Sequence, residues 1–329
     1  MAASTINVPS AGPVPGSRSF LSRLRNGDEI ARLVTFLFAA SVVLITVLLV
    51  LELWTGSALP RHKFGLNFFL TRVWDPIAEQ FGALPFIYGT LVTAGLALLL
   101  AVPLGIGAAI FLAELAPQKI SDTLQFFIDL LAAVPSVIYG FLGFFIIVPF
   151  MREWLQPALK KSLGFLPFFQ GPMFGIGFLA AGIVLAIMVI PYIISVSREI
   201  LMAVPRDQRE AALALGSTRW ESTWKVVVPF ARTGILGSIF LALARALGET
   251  MAVTMVIGNT PTISSSLFSP GYSIAAVIAA EFTEATGDLY LQSLIELGLV
   301  LFLLTFILNG LARLMILFTT QRGSGTAQA

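Results

Sequence analysis

Two ionisable side chains, Arg245 and Glu249, lie inside the apolar run GILGSIFLALARALGETMAVTMVIGN, residues 234–259. An Arg at mid-bilayer costs about 2.5–3.5 kcal/mol on insertion scales, so such a residue is read first as functional. A guanidinium donates two parallel hydrogen bonds from a rigid fork, a geometry that suits an oxyanion such as phosphate. Residues four apart share a helix face, so Arg245 and Glu249 can pair. The carboxylate would orient the guanidinium and keep an anion from being held too tightly. Thr250 and Thr254 offer hydroxyl donors on nearby faces. The bland reading of the same pair is a structural ion pair that fixes helix packing.

A second polar stretch, REAALALGSTRWESTWKVVVPF, covers residues 209–230. Gln208 to Leu215 are strong helix formers. Gly216 and Ser217 end that helix, the Gly supplying a left-handed turn. Trp220 to Val228 then lead to Pro229. A helix–turn–helix lying along the bilayer makes a knob that fits a groove on a soluble partner; an ordinary amphipathic connector has the same composition. Elsewhere, Pro135 and Ser136 fit a packing kink or a gate, because Pro135 frees a carbonyl and Ser136 brings a hydroxyl.

The elements that position these residues follow from composition. Of 329 residues 57% are hydrophobic and 12% charged, with mean hydropathy +0.90. A soluble domain carries about 25% charged residues, so the chain reads as an all-α integral membrane protein. Spans need about 20 apolar residues. Six runs qualify: 33–54, 86–113, 124–150, 174–196, 234–257 and 291–318. The third contains Pro135 and reads either as one kinked span or as an interfacial helix (120–134) followed by a span from Val137. Lys and Arg concentrate on the side that holds both termini and the 209–230 elbow, which predicts a cytoplasmic location for all three. The acidic segment 258–290 suits the outer face. Residues 1–30 read as a disordered tail, 31–60 as the first span with its flank, 61–318 as the main transmembrane domain with its elbow loop at about 198–232, and 319–329 as a second tail.

Several chemistries are excluded. Cysteine is absent and His62 is the single histidine, which leaves no thiolate or multi-histidine metal site. No Lys follows a Gly, so there is no phosphate-binding P-loop. The chain is expected to catalyse nothing, to bind no metal or cofactor and to meet no nucleic acid.

Glu210-Ala211-Ala212, then Gly216, then Pro229 resembles the EAA loop of ABC-importer permeases. Val226 and Val228 stand where that pattern has Ile and Leu, and Leu215 where Asp often precedes the Gly. The run ARALGETMAVTMVIGN, with LLAAVPSVIYGFLG and IELGLVLFLLTFILN, is similar to the PstC-type permeases of the phosphate-specific ABC importers. The resemblance implies a type I ABC importer permease fold with six transmembrane helices in the bacterial inner membrane. It implies ATPase contacts for Glu210, Ala211, Ala212 and Gly216, and phosphate passage past Arg245 and Glu249; Thr250 joins these on its chemistry alone. The partners it implies are a PstA-like permease, an ATPase dimer that uses ATP and Mg, and an outer phosphate-binding protein. Two other readings stay open: a permease for molybdate or sulfate, and an ion-gradient-driven secondary transporter.

Overall fold

A computed structural model describes residues 28–324, and the side chains of residues 30–316. The tail expected at 1–30 lies almost wholly outside the described residues, as do residues 325–329. Among the described residues six helices are long and apolar enough to cross a membrane. With shorter elements they are α1 (Asp28–Gly56), α2 (Ala58–Phe64), α3 (Leu84–Leu115), α4 (Gln118–Ala132), α5 (Ser136–Leu163), α6 (Phe178–Met202), α7 (Arg206–Ala214), α8 (Arg219–Leu247), α9 (Met251–Ile257), α10 (Ile274–Glu281) and α11 (Asp288–Ser324). By compactness the described residues up to Glu52, all within α1, belong to one unit, and Leu53 onward forms the other. α11 continues past the end expected at 318, to Ser324.

Helix α6 is the centre of the larger unit. Two-thirds of its apolar window is buried, against about a fifth for α11. It packs on α3 through small residues: Ala94, Ala97, Ala101, Ala180 and Ala181 are nearly or fully buried. A Cβ on Gly182 would stand 2.7 Å from Leu96, and one on Gly105 would stand 2.8 Å from Ile193. Lipid tails are as apolar as Leu, so close backbone approach and dispersion must hold such helices together.

Four π turns punctuate the long helices, and each ends two residues before a proline. The i to i−5 bonds are Ala116 N–H to Phe111 O, Val148 to Gly143, Gln156 to Met151 and Val228 to Thr223. They precede Pro117, Pro149, Pro157 and Pro229. A proline ring strikes the carbonyl four residues back and offers no N–H. A wide turn just before it displaces that carbonyl and takes up the mismatch. In α5 and α8 the helix then continues through the proline; after Pro117 a new helix starts.

Of the two readings of the third run, the structure bears out the second: Pro135 separates α4, a distinct amphipathic helix, from the span α5. Two boundaries differ from expectation. α8 starts at Arg219, so Pro229 lies within the fifth span rather than before it. That span also stops at Leu247; Gly248 to Thr250 break it, and α9 resumes at Met251. Segment 258–290, expected as an acidic outer loop, instead buries Phe268, Tyr272 and the first half of α10. Its residue Glu281 accepts hydrogen bonds from Trp74 Nε1 (2.9 Å) and the Tyr290 hydroxyl (2.7 Å). Burial first, and then the Glu281 charge, raise the Tyr272 hydroxyl well above the usual tyrosine range.

Candidate functional site: a polar elbow and a broken span

The elbow is built from two helix ends set back to back. Pro205, extended with ψ 139°, precedes α7. At its far end Gly216 has φ 86°, a conformation that favours glycine. Gly216 N–H donates to Leu213 O (2.9 Å) and Ser217 N–H to Ala212 O (3.2 Å), a Schellman closure. Thr218 then caps α8: Glu221 N–H donates to its Oγ1 (3.2 Å), while Thr218 N–H donates to Glu221 Oε2 (3.0 Å). This reciprocal box satisfies two orphan donors. With a closing motif and an opening motif two residues apart, little slack remains between the helices.

One ion pair ties the elbow to the membrane helices. Arg209 Nη2 donates to Glu114 Oε1 at 2.7 Å, and Arg209 Nε lies 3.2 Å from both carboxylate oxygens. The same guanidinium donates to Leu201 O (2.7 Å) and Val204 O (2.5 Å) at the end of α6. Arg209 therefore clamps α7 to α3 and α6 at once. Sequence reasoning counted Arg209 only as a charge and passed over Glu114. An Arg next to the first helical turn and an acid at the end of an apolar span were the available signals, but only the fold brings them together.

Of the expected elbow contacts, Glu210, Ala211 and Gly216 face outward. Ala212 turns inward and is 8% exposed. Leu215, which stands where Asp often precedes the Gly of the EAA loop, is 90% exposed beside Gly216.

The span residues are arranged differently from expectation. Arg245 and Glu249 do not pair, because the helix ends between them; among the described residues no ion pair joins them. Glu249 Oε1 instead accepts from Ala252 N–H (3.2 Å) in the first turn of α9. Arg245 is exposed on this chain, its guanidinium carbon 5.8 Å from the centre of the Tyr192 ring. Thr250 donates to Gly248 O (3.2 Å) and Thr254 to Thr250 O (2.7 Å), so both hydroxyls are spent on local backbone. Pro135 and Ser136 form the α4–α5 corner. Behind it a Cβ on Gly140 would stand 2.5 Å from Met255, so α5 sits close on α9.

Six crossing helices, a broken span bearing an exposed Arg, and a rigid polar elbow define a membrane-embedded transport permease. Residues 101–316 match the family described as "Binding-protein-dependent transport system inner membrane component". The PstC phosphate transport permease of Mesorhizobium japonicum is 46% identical over 84% of this chain and 87% of its own. That of Haemophilus influenzae is 47% identical over 88% and 93%. In fold, a chain of a bacterial alginate ABC transporter superposes with TM-score 0.57 at 15% identity, over 95% of this chain and 99% of its own. A chain of the inward-facing MetNI methionine ABC transporter gives 0.52 at 15% identity, over 75% and 99%. The chain belongs to the binding-protein-dependent transport permeases, in their PstC group.

Proposed function

We infer that this chain is the PstC-type transmembrane subunit of an ATP-driven phosphate importer. It crosses the bacterial inner membrane several times and is not itself an enzyme. The observation that carries this reading is the 46% identity to a phosphate permease over most of the chain, joined to an exposed membrane Arg and a preformed elbow. A PstA-like permease covers the Arg245 side, and the passage runs between the two. An ATPase pair, using ATP and Mg, engages Glu210, Ala211 and Gly216 from the cytoplasm, where both termini also lie. Ala212 supports that surface from behind. A phosphate-binding protein docks outside.

The mechanism is alternating access. Closure of the ATPase pair moves the elbow, and because Arg209 clamps α7 to α3 and α6, both helices move with it. Phosphate released from the binding protein meets the Arg245 fork, whose rigid donors match a tetrahedral oxyanion. ATP hydrolysis returns the helices. Differential ATP affinity for the two arrangements supplies the driving free energy.

The test is uptake by the complete complex in proteoliposomes. Phosphate uptake is expected with ATP and binding protein, and Arg245→Gln is expected to abolish it while the complex still assembles. Wild-type uptake in that variant removes Arg245 from the passage. Preferred uptake of sulfate or molybdate by the wild type reassigns the anion.

A further inference from the structure

Asp129, on α4, is an acidic group to which the proposed function gives no role. Its Oδ1 accepts from Gln125 Nε2 (2.6 Å) and from Ser195 Oγ (2.7 Å), and Gln125 Nε2 also lies 2.8 Å from Ser195 Oγ. This knot pins the polar stripe of α4 to α6. A second crossing bond, Arg198 Nη2 to Ser121 Oγ at 2.9 Å, continues the stripe one turn further along both helices. The Tyr139 hydroxyl, from α5, donates to Leu131 O (2.7 Å) and fixes the end of α4.

The knot has used its donors and is left with acceptors. The single O–H of Ser195 is committed, and Gln125 Oε1 is buried with no hydrogen-bond partner. Asp129 Oδ2 takes no donor among the described residues. A buried acceptor without a partner is uncommon and calls for an explanation. Ser195 stands three residues from Tyr192 on α6, hence on the same face. Tyr192 is the ring over which Arg245 lies, and Arg245 spends no donor in an ion pair among the described residues. A fork of five donors with no anion thus lies over Tyr192, about one helical turn along α6 from the Ser195 that holds a pair of acceptors with no donor.

We propose that Asp129, with Gln125 Oε1 beside it, is the counter-charge that Arg245 takes when no anion occupies the passage. The guanidinium swings about one helical turn across Tyr192, satisfies both acceptors and closes the passage. An entering oxyanion competes for the same fork and frees Asp129. Glu249 is the poorer candidate, because one of its oxygens already holds the Ala252 amide of α9. The proposal rests on the reading that Arg245 lines the passage.

Two measurements on the assembled complex test it. In proteoliposomes loaded with radiolabelled phosphate, Asp129→Asn is expected to raise ATP-independent efflux at least about fivefold, the low end of ordinary coupling between sites. Asp129→Glu, which keeps the carboxylate, should stay near wild type, and adding Asp129→Asn to Arg245→Gln should change nothing further. Efflux at the wild-type level in Asp129→Asn, or a rise that persists in the Arg245→Gln background, overturns the proposal. The chain has no cysteine of its own, so the pair Asp129→Cys with Arg245→Cys can be probed with a short bifunctional thiol reagent. A cross-link in the anion-free complex, read by mass spectrometry, is expected; its absence in an assembled complex overturns the proposal. The cross-link needs no particular anion, so it separates a failed latch from a wrong substrate, which ATP-driven wild-type uptake reads directly.

Discussion

Glu249 illustrates how a side chain's role depends on where its helix ends. Counting by four placed it opposite Arg245, which assumed an unbroken helix. Gly248 removes that continuity and leaves the α9 amides in need of an acceptor, a task the Glu249 carboxylate performs for Ala252 N–H at 3.2 Å. Removing a capping acceptor costs about 1 kcal/mol. Glu249→Ala is therefore expected to lower the melting temperature of the purified complex, while Glu249→Gln, which keeps an acceptor oxygen, should lose less. Equal losses would favour a charge role. Arg209 is a larger case. It holds Glu114 by bidentate contact and two carbonyls besides. Breaking a buried pair leaves an uncompensated charge and costs about 3 kcal/mol. Arg209→Ala should destabilise the complex by an amount of that order in thermal melts. Arg209→Lys should recover only part, since a point charge cannot reproduce the fork. The sequence singled out Arg245, because a guanidinium in an apolar run has few structural uses. It did not show the Tyr192 ring beside it, which comes from another helix.

At the scale of elements, the apolar runs announced the six spans and the prolines announced trouble, but not which kind. Pro135 and Pro117 end helices, whereas Pro149, Pro157 and Pro229 are carried through by π turns. Both outcomes satisfy the same steric demand, and the sequence around each proline does not distinguish them. The α4 helix shows the same limit. Its exposed face carries Leu124, Phe126, Phe127, Leu130 and Leu131, and its polar stripe faces α6. Hydropathy and Pro135 left two readings open, a kinked span or a separate interfacial helix, and the structure has the second. The elbow was more legible: Gly216 was read as a left-handed turn and has φ 86°. No atom lies within 4 Å of where its Cβ would stand, so any penalty there comes from backbone strain rather than a clash. A left-handed non-glycine residue costs about 1–2 kcal/mol, and Asn bears it better than most. Gly216→Val is expected to reduce co-purification of the ATPase subunits, and Gly216→Asn to reduce it much less. Equal loss in both would point to a steric contact at Gly216 with the partner in place of strain.

For the whole molecule, the proposed function divides the labour between the elbow and the broken span, and the division can be measured. In that reading the elbow meets the source of free energy, and Arg245 meets the cargo. The helices between them, α3 and α6, are packed through alanines and glycines at near-contact distances, so they transmit displacement with little give. A rigid drive of this kind predicts that damage at the cargo end leaves the drive working, whereas damage at the drive stops both. Arg245→Gln should abolish phosphate uptake yet preserve ATP hydrolysis stimulated by the binding protein, because the elbow is untouched. Glu210→Lys reverses the charge on the outward face of α7 and should lose stimulated hydrolysis and uptake together, with the chain itself still folded. A secondary transporter would behave otherwise: uptake by this chain alone under a proton or sodium gradient would survive Glu210→Lys. Parallel uptake and hydrolysis assays on the two variants therefore decide between mechanisms. If Arg245→Gln silences hydrolysis as fully as transport, then the anion site and the elbow act as one unit, and the separation of cargo from drive is wrong.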